Sequence, residues 1–428
     1  GFSEQQTNSL FGTARFDYKE YLYLELTGRN DWSSTLPADN NSYFYPSVSS
    51  SFIFTDALEL PEVLSTGTVR ASVGRVGGAT SPYRLNVTYG IVGSHPSKTG
   101  ETASRGSILG GEIPPLDLKP RQKESIELGT NLQFVDDRFG LDVTWYRENS
   151  FNQILGVGVS NTTGFGSRLI NAGNIRNQGI EIQLNGTILQ GSDFSWSARG
   201  NFTRNRNEVI ELTEGVQSFG LGASRSQHTF VEARPGQPYG QIVGPTFERT
   251  DNGEIVHNSD GLPVVGESEP IGNQEESWGA GLTNTVRWQN LVFEALFDVS
   301  WGGDMYSLTN AQAYGTGRHE DTLPGREQGY VIGDGVIVTE RDADGNIVST
   351  RQNDVPVDPE DYYGYVGSNI AEPFVYDASY IRLRQLRLSY SLPESVINLA
   401  DGALRAAQIS ITGRNLWLLY DEGPNGDP

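Results

Sequence analysis

The sequence predicts an all-β chain, an antiparallel transmembrane β-barrel, whole or partial, of about twelve strands with short turns at one end and long loops at the other. Three observations predict it. Apolar and polar residues alternate with a period of two in run after run, the connections between runs alternate short and long, and no apolar stretch is long enough for a membrane helix. The most apolar segment, Leu291 to Trp301, is interrupted by Glu294 and Asp298, whereas a spanning helix needs roughly 20 apolar residues. A membrane role therefore requires strands.

Leu10, Gly12, Ala14, Phe16 and Tyr18 alternate with Thr13, Arg15 and Asp17, and a tight turn leads to Leu22, Leu24 and Leu26 set against Tyr23, Glu25, Thr27 and Arg29. Val48, Ser50, Phe52 and Phe54 make a third apolar face, and Val69, Ala71 and Val73 a fourth. A fifth (Ile126, Leu128, Thr130, Leu132) and a sixth (Phe139, Leu141, Val143, Trp145) flank the polar turn Val135 to Arg138. Ile180, Ile182 and Leu184 then pair across 190–193 with Phe194, Trp196 and Ala198. Trp278, Ala280 and Leu282 pair across Trp288-Gln289-Asn290 with Leu291, Phe293, Ala295 and Phe297. The last pair spans Tyr380 to Tyr390 and Leu404 to Asn415. Its apolar phase switches from Ile381 and Leu383 to Leu386, Leu388 and Tyr390, which predicts a β-bulge near Arg384.

The connections 18–21, 55–67, 135–138, 190–193, 287–290 and 391–402 are short, and 30–43, 77–120, 150–177, 207–275 and 302–378 are long. Sorting of this kind predicts short periplasmic turns and long extracellular loops; a soluble sandwich has no reason for it. The alternate face carries Arg15, Asp17, Glu25, Arg29, Asp142, Glu181, Gln183, Arg199 and Arg382, suited to a polar lumen. Tyr18, Tyr21, Trp145, Trp196, Trp278, Trp288 and Trp301 fall near strand ends, as interfacial aromatics do. A dozen strands with an unpaired edge are costly in lipid, so the barrel is either small and complete or a fragment. A soluble β-rich binding module or surface adhesin would use the same alternation, but would leave the membrane on alkaline washing.

Composition agrees: 51 Gly, 19 Tyr, 18 Phe and 7 Trp accompany a mean hydropathy of -0.41. The absence of cysteine excludes disulfides and thiolate chemistry, and a net charge of -22 with four lysines argues against a nucleic-acid partner. The acidity is read as solubility, with attraction of cations or basic substrates as the alternative. Residues 1 to 10 carry no signal-peptide pattern.

No catalytic, cofactor or metal site is expected. His319-Glu320 begins like a metalloprotease helix, but position 323 is Leu. His95, His228, His257 and His319 all fall in predicted loops without ligand spacing, and read as polar surface residues. Asp342-Ala343-Asp344-Gly345 and Asp251-Asn252-Gly253-Glu254 lack a complete calcium-loop pattern and read as turns. A barrel enzyme would need a catalytic cluster at the rim, and no nucleophile elbow or phosphate loop appears; Gly156 to Gly166 reads as mobile loop. The candidate substrate-binding residues are the loop aromatics Tyr306, Tyr314, Tyr362, Tyr363 and Tyr365, with Tyr330 in the same segment. They suit sugar stacking or a peptide groove, and equally ordinary packing.

Arg29-Asn30-Asp31-Trp32-Ser33-Ser34-Thr35-Leu36-Pro37, followed by Asn41 to Ser49, closely resembles the SusC/RagA family of TonB-dependent outer-membrane transporters of Bacteroidetes. Four further stretches resemble it in the same order: Leu118-Lys119-Pro120 with Glu124 and Glu127-Leu128-Gly129, Asn171 to Ile175 with Asn177 to Glu181, Trp301 to Tyr306, and Tyr380 to Arg384. The resemblance implies a barrel of roughly 22 strands around an N-terminal plug, with residues 1–428 as its C-terminal portion, lacking the plug, the TonB-binding segment and the final strand. It further implies an importer of oligosaccharides or oligopeptides, a SusD-like surface lipoprotein as lid, and TonB as the source of energy. No bond in the cargo would be broken.

Overall fold

The computed structural model describes residues 3–96, 102–109, 111–115, 117–163, 165–213, 215–225, 228–398 and 404–424. Twelve long strands dominate: β1 (Thr7–Tyr18), β2 (Leu22–Ser33), β3 (Ser42–Ile53), β4 (Leu64–Gly78), β5 (Arg121–Phe134), β6 (Phe139–Gly158), β7 (Ser167–Gln190), β8 (Phe194–Glu211), β9 (Trp278–Trp288), β10 (Leu291–Trp301), β11 (Tyr380–Ser391) and β12 (Gln408–Asp421). Two units are distinct: Gly1–Ile188 with Asn205–Gln217, and Leu189–Arg204 with Ser218–Pro428.

In the first unit each strand from β1 to β7 pairs antiparallel with the next. The register sorts the predicted faces. Phe16, Leu24, Ser50, Ala71, Leu128, Trp145 and Ile180 form one row, and Arg15, Glu25, Ser49, Ser72, Glu127 and Tyr146 form the adjacent row on the opposite face. In the second unit β8, β9, β10, β11 and β12 pair in the same way. Trp196, Val286, Phe293, Leu388 and Ile411 stand in register there. Large apolar side chains of the outward rows stay exposed, Phe16 at 56%, Leu128 at 51% and Ile411 at 73%. Exposure on this scale in continuous rows is what lipid, not water, tolerates.

β1 pairs only with β2, and β12 only with β11, among the described residues. The fold is thus a partial, unclosed antiparallel transmembrane barrel. Within the second unit Phe194, Trp288, Leu291, Tyr390 and Ile409 form the row next to the short turns. At the other end Phe202, Trp278, Trp301 and Tyr420 stack face to face in succession at 5.9, 5.9 and 5.6 Å. Trp288 and Trp278 are ten positions apart on β9 (288 − 278). At about 3.3 Å per residue and a tilt of about 40°, that spans roughly 25 Å, the height of an outer-membrane apolar band.

The bulge predicted at Arg384 is present, since Leu383 and Gln385 are paired on both sides while Arg384 is skipped. Several boundaries differ from expectation. Phe54 opens a short helix, Phe54–Ala57, instead of ending β3, and β12 starts and ends later than predicted. The larger correction concerns two loops. The expected loop 150–177 is mostly strand, because β6 runs 20 residues and β7 24, against roughly 9–11 for a membrane crossing. The connection shrinks to 159–166, so Gly156 to Gly166 is not one loop. The expected loop 30–43 likewise shrinks to 34–41. Beyond the bilayer neither face of a strand has to be apolar, so the period of two fades while the hydrogen-bond ladder continues.

Candidate functional site

Three of the stretches that carry the family resemblance, around Leu36 and Tyr43, Leu118 and Lys119, and Asn171, meet at the long-loop end of the first unit. Leu36, Tyr43, Leu118 and Leu169 form a buried cluster there, with Leu118 fully buried. Asn171 clamps the segment before β5: its Oδ1 accepts from the Lys119 N–H at 2.6 Å and its Nδ2 donates to the Lys119 carbonyl at 2.8 Å. Arg29 pairs with the buried Asp31 at 2.7 Å. These residues fix loop bases and carry no reactive geometry.

The polar face carries opposed charges at hydrogen-bond distance. Arg15 meets Glu25 at 2.5 Å, Arg70 meets Asp142 at 2.8 Å, and Lys123 meets Glu148 at 2.5 Å. In the second unit Arg384 at the bulge reaches Asp298, and Arg382 lies over the Tyr380 ring at 4.7 Å. Such pairs contribute little each, but they leave a wettable, nearly neutral wall. A hollow of about 570 Å³ on this face is lined by Arg15, Asp17, Tyr23, Glu25, Arg70 and Glu127.

The segments 218–225, 228–277 and 302–379 of the second unit fold together into one body. Gly302 and Gly303, both at positive φ (79 and 83), turn the chain out of β10; an L side chain there would be strained. Asp304 accepts from Asn273 N–H at 2.8 Å, and Ala371 N–H donates to the Pro245 carbonyl at 2.9 Å. Arg249 pairs with Glu372 at 2.8 Å. Two helices stand inside it. Ser307 caps Leu308–Gly315, and Asp358, with Pro359 next, caps Pro359–Asn369. They cross where Gly367 lies against Gly315, so closely that a Cβ on Gly367 would come 2.6 Å from the Gly315 Cα.

Around this crossing the structure gathers four of the five candidate tyrosines. Ala311, Val366 and Phe374 form the core, with Tyr306, Tyr314 and Tyr362 packed on it. Tyr363 is buried, donates to the Pro324 carbonyl at 2.9 Å and meets Tyr314 edge-on at 5.3 Å. Burial pushes the Tyr314, Tyr362 and Tyr363 hydroxyls up from their ordinary pKa, so all three are neutral donors. Tyr365 is half-buried on the second helix, and Tyr330 is exposed. Two clefts open beside the cluster. One of about 610 Å³ is lined by Tyr306, His228, Gln312 and Arg318; the other, about 530 Å³, by Tyr363, Arg326, Asp358 and Glu360.

Two histidines depart from the surface role expected of them. His257 is 1% exposed and stacks on Tyr362; burial pushes its pKa down, outweighing the Ile255 main chain and Asp334. His319 caps a helical turn, its Nδ1 accepting from Asp321 N–H at 3.3 Å. His228 is exposed, and the His95 side chain lies outside the described residues. Both acidic stretches are turns, as expected. The Asp342 carboxylate accepts from Asn346 Nδ2 at 2.9 Å and the Asn346 N–H at 2.8 Å, which hold it below the usual carboxylate range. Gly253 closes the other at φ 85. The two helices are absent from the sequence reading, though Asp358-Pro359-Glu360-Asp361 is a helix-start pattern.

A family model described as TonB dependent receptor-like, beta-barrel, matches residues 1–416. TonB-dependent receptor P26 of Formosa agariphila is 26% identical over 98% of this chain and 42% of its own length; TonB-dependent receptor P3 of the same organism is 24% identical over 100% and 42%. TonB-dependent receptor SusC of Bacteroides thetaiotaomicron is 22% identical over 70% of this chain and 31% of its own. The solved RagAB peptide importer in its closed-closed state superposes with a TM-score of 0.74 at 20% identity, over 97% of this chain and 44% of that one. This chain therefore spans about two fifths of the relatives it matches.

Proposed function

This chain belongs to the TonB-dependent receptor-like β-barrel family of the outer membrane, and from that premise we propose that residues 1–428 are the C-terminal part of the barrel of a SusC-like nutrient importer. The curated relatives it matches are named as TonB-dependent receptors. The observation that carries the proposal is the body at the long-loop end, whose two clefts sit on the same unit as a polar wall lined by Arg382, Asp298 and Glu294. Cargo is held by the loops, released into the lumen, and not cleaved.

The cargo is an oligosaccharide or oligopeptide. Tyr306 presents aromatic surface to one cleft and the buried Tyr363 lies behind the other, while Tyr314 and Tyr362 pack beside them and Tyr365 stands on the same helix as Tyr362 and Tyr363. A SusD-like lipoprotein closes over the loops, and TonB acts through a plug that fills the lumen, both contributed from outside residues 1–428. The unpaired edges of β1 and β12 support a larger wall, since unpaired strand edges are costly in lipid.

The test is uptake of labelled oligopeptides and oligosaccharides by cells carrying the full-length transporter. We expect uptake to collapse when the proton gradient is dissipated. Arg318→Ala, at an exposed cleft position, should weaken cargo binding about tenfold, the loss of one charged hydrogen bond. Uptake insensitive to an uncoupler would refute energised import.

A further inference from the structure

Four adjacent strands of the first unit interrupt their own apolar wall. On the outward side of β4 to β7, Ala71, Leu128, Trp145 and Ile180 stand in register. One row toward the long loops, Val73 and Ile126 are followed by Arg147 and Gln178. The next row reads Arg75, Glu124, Asn149 and Arg176. Arg206 shares this outward side of β8, because its neighbour Asn205 points inward onto Tyr146 and Asn177.

The charges on this side are incompletely satisfied. Arg75 pairs with Glu124. Arg176 approaches Glu208 only to 3.9 Å, and its Nε is buried with no hydrogen-bond partner among the described residues. Arg147 and Arg206 make no ion pair or hydrogen bond with a described residue. Four arginines thus face two glutamates on a chain whose net charge is -22. A hollow of about 560 Å³ on this side is lined by Val48, Val73 and Ile126 together with Arg75, Glu124 and Arg147.

Depth selects the occupant. Asn149, in the arginine row, is ten positions above Phe139 at the short-turn end of β6 (149 − 139). At about 3.3 Å per residue and a tilt of about 40°, that is roughly 25 Å, the top of the apolar band. The long-loop end is extracellular, so the arginines lie at the headgroup level of the outer leaflet with aliphatic side chains beneath them. A folded acidic protein would have to reach into the bilayer to fill the apolar part of the hollow; a lipid reaches it by its own chain.

We propose that Arg147 and Arg176, flanked by Arg75 and Arg206, bind the phosphate of an anionic outer-leaflet lipid whose acyl chain lies along Val48, Val73 and Ile126. Guanidinium forks match phosphate oxygens, and the phosphate supplies the acceptor that the Arg176 Nε lacks.

The test uses the full-length protein purified from its outer membrane and exchanged into phosphatidylcholine vesicles. These contain a diphosphorylated glucosamine lipid, its dephosphorylated form, or inorganic phosphate alone, and bound lipid is read by native mass spectrometry. Wild type should retain the phosphorylated lipid selectively. The double variant Arg147→Gln, Arg176→Gln should lose about thirtyfold in affinity, the effect of two surface cations on an anionic lipid, while keeping the heat-modifiable gel band of a folded barrel. If the double variant does not fold, Arg147→Gln alone should lose about fivefold and Arg147→Lys should recover most of it. Equal retention of the dephosphorylated lipid, equally tight capture of free phosphate, an acidic protein in the lipid's place, or unchanged affinity in a folded variant would each overturn the proposal.

Discussion

The His257 ring lies 6.5 Å from the Tyr362 ring and nearly parallel to it, and neither of its nitrogens has a hydrogen-bond partner among the described residues. Burial holds it neutral in the fold, with its pKa pushed down, whereas unfolded histidine titrates near about 6.5. The unfolded state therefore binds the proton first as pH falls, and the loop body loses stability below about pH 6.5. Limited proteolysis of the full-length protein should show cleavage between 302 and 379 rising with acid, and His257→Phe should flatten that rise. Gly333 packs against the same pair: a Cβ there would press on His257 Nε2 and stand 2.7 Å from the Tyr362 hydroxyl. Gly333→Ala should cost about 1–3 kcal/mol of loop-body stability by overpacking, measurable as earlier denaturant-induced cleavage. Little of this was legible in the sequence. A buried histidine or tyrosine in an irregular loop leaves no periodic trace, so Tyr363 and Tyr330 looked alike although one is buried and the other exposed.

Single wall elements were more legible, because a strand with lipid on one side and charges on the other must alternate. The bulge at Arg384 came from that rule alone: Ile381 and Leu383 share a face with Leu386, Leu388 and Tyr390 only if one residue is skipped. Deleting Arg384 would remove the skipped residue and leave both sets on the outward face in strict alternation, with the pairing on either side unshifted. We expect both this deletion and Arg384→Ala, which removes the pair with Asp298, to keep the heat-modifiable band; its loss in the deletion alone would show that both sets do not share the outward face. Alternation failed where its cause fails. The outer halves of β6 and β7, such as Arg147 to Gln153 and Asn171 to Gln178, are largely polar on both sides and carry the hydropathy of a loop. Their ladder, pairing Gln153 with Ala172 through to Arg147 with Gln178, has no counterpart in hydropathy.

On the scale of the whole molecule, membrane placement makes adjacent residues on one strand respond oppositely to the same substitution. In β10 Phe297 stands in the outward row with Leu282 and Leu383, while Leu296 stands in the inward row with Thr283 and Gln385. Both lie near the middle of the strand between Leu291 and Trp301, hence near the bilayer midplane if the aromatic rows mark its borders. An arginine facing lipid at the midplane costs roughly 2–4 kcal/mol, falling to about 0–1 near the interface. Phe297→Arg should therefore destabilise the barrel by about 2–4 kcal/mol in urea titrations of folding into vesicles. Leu296→Arg should cost far less, because its charge enters a face that already holds Asp298 and Glu294. If the two variants were equally tolerated, the outward rows would not be lipid-facing; if both failed to fold, the inward face would be a packed core instead of a wetted lumen.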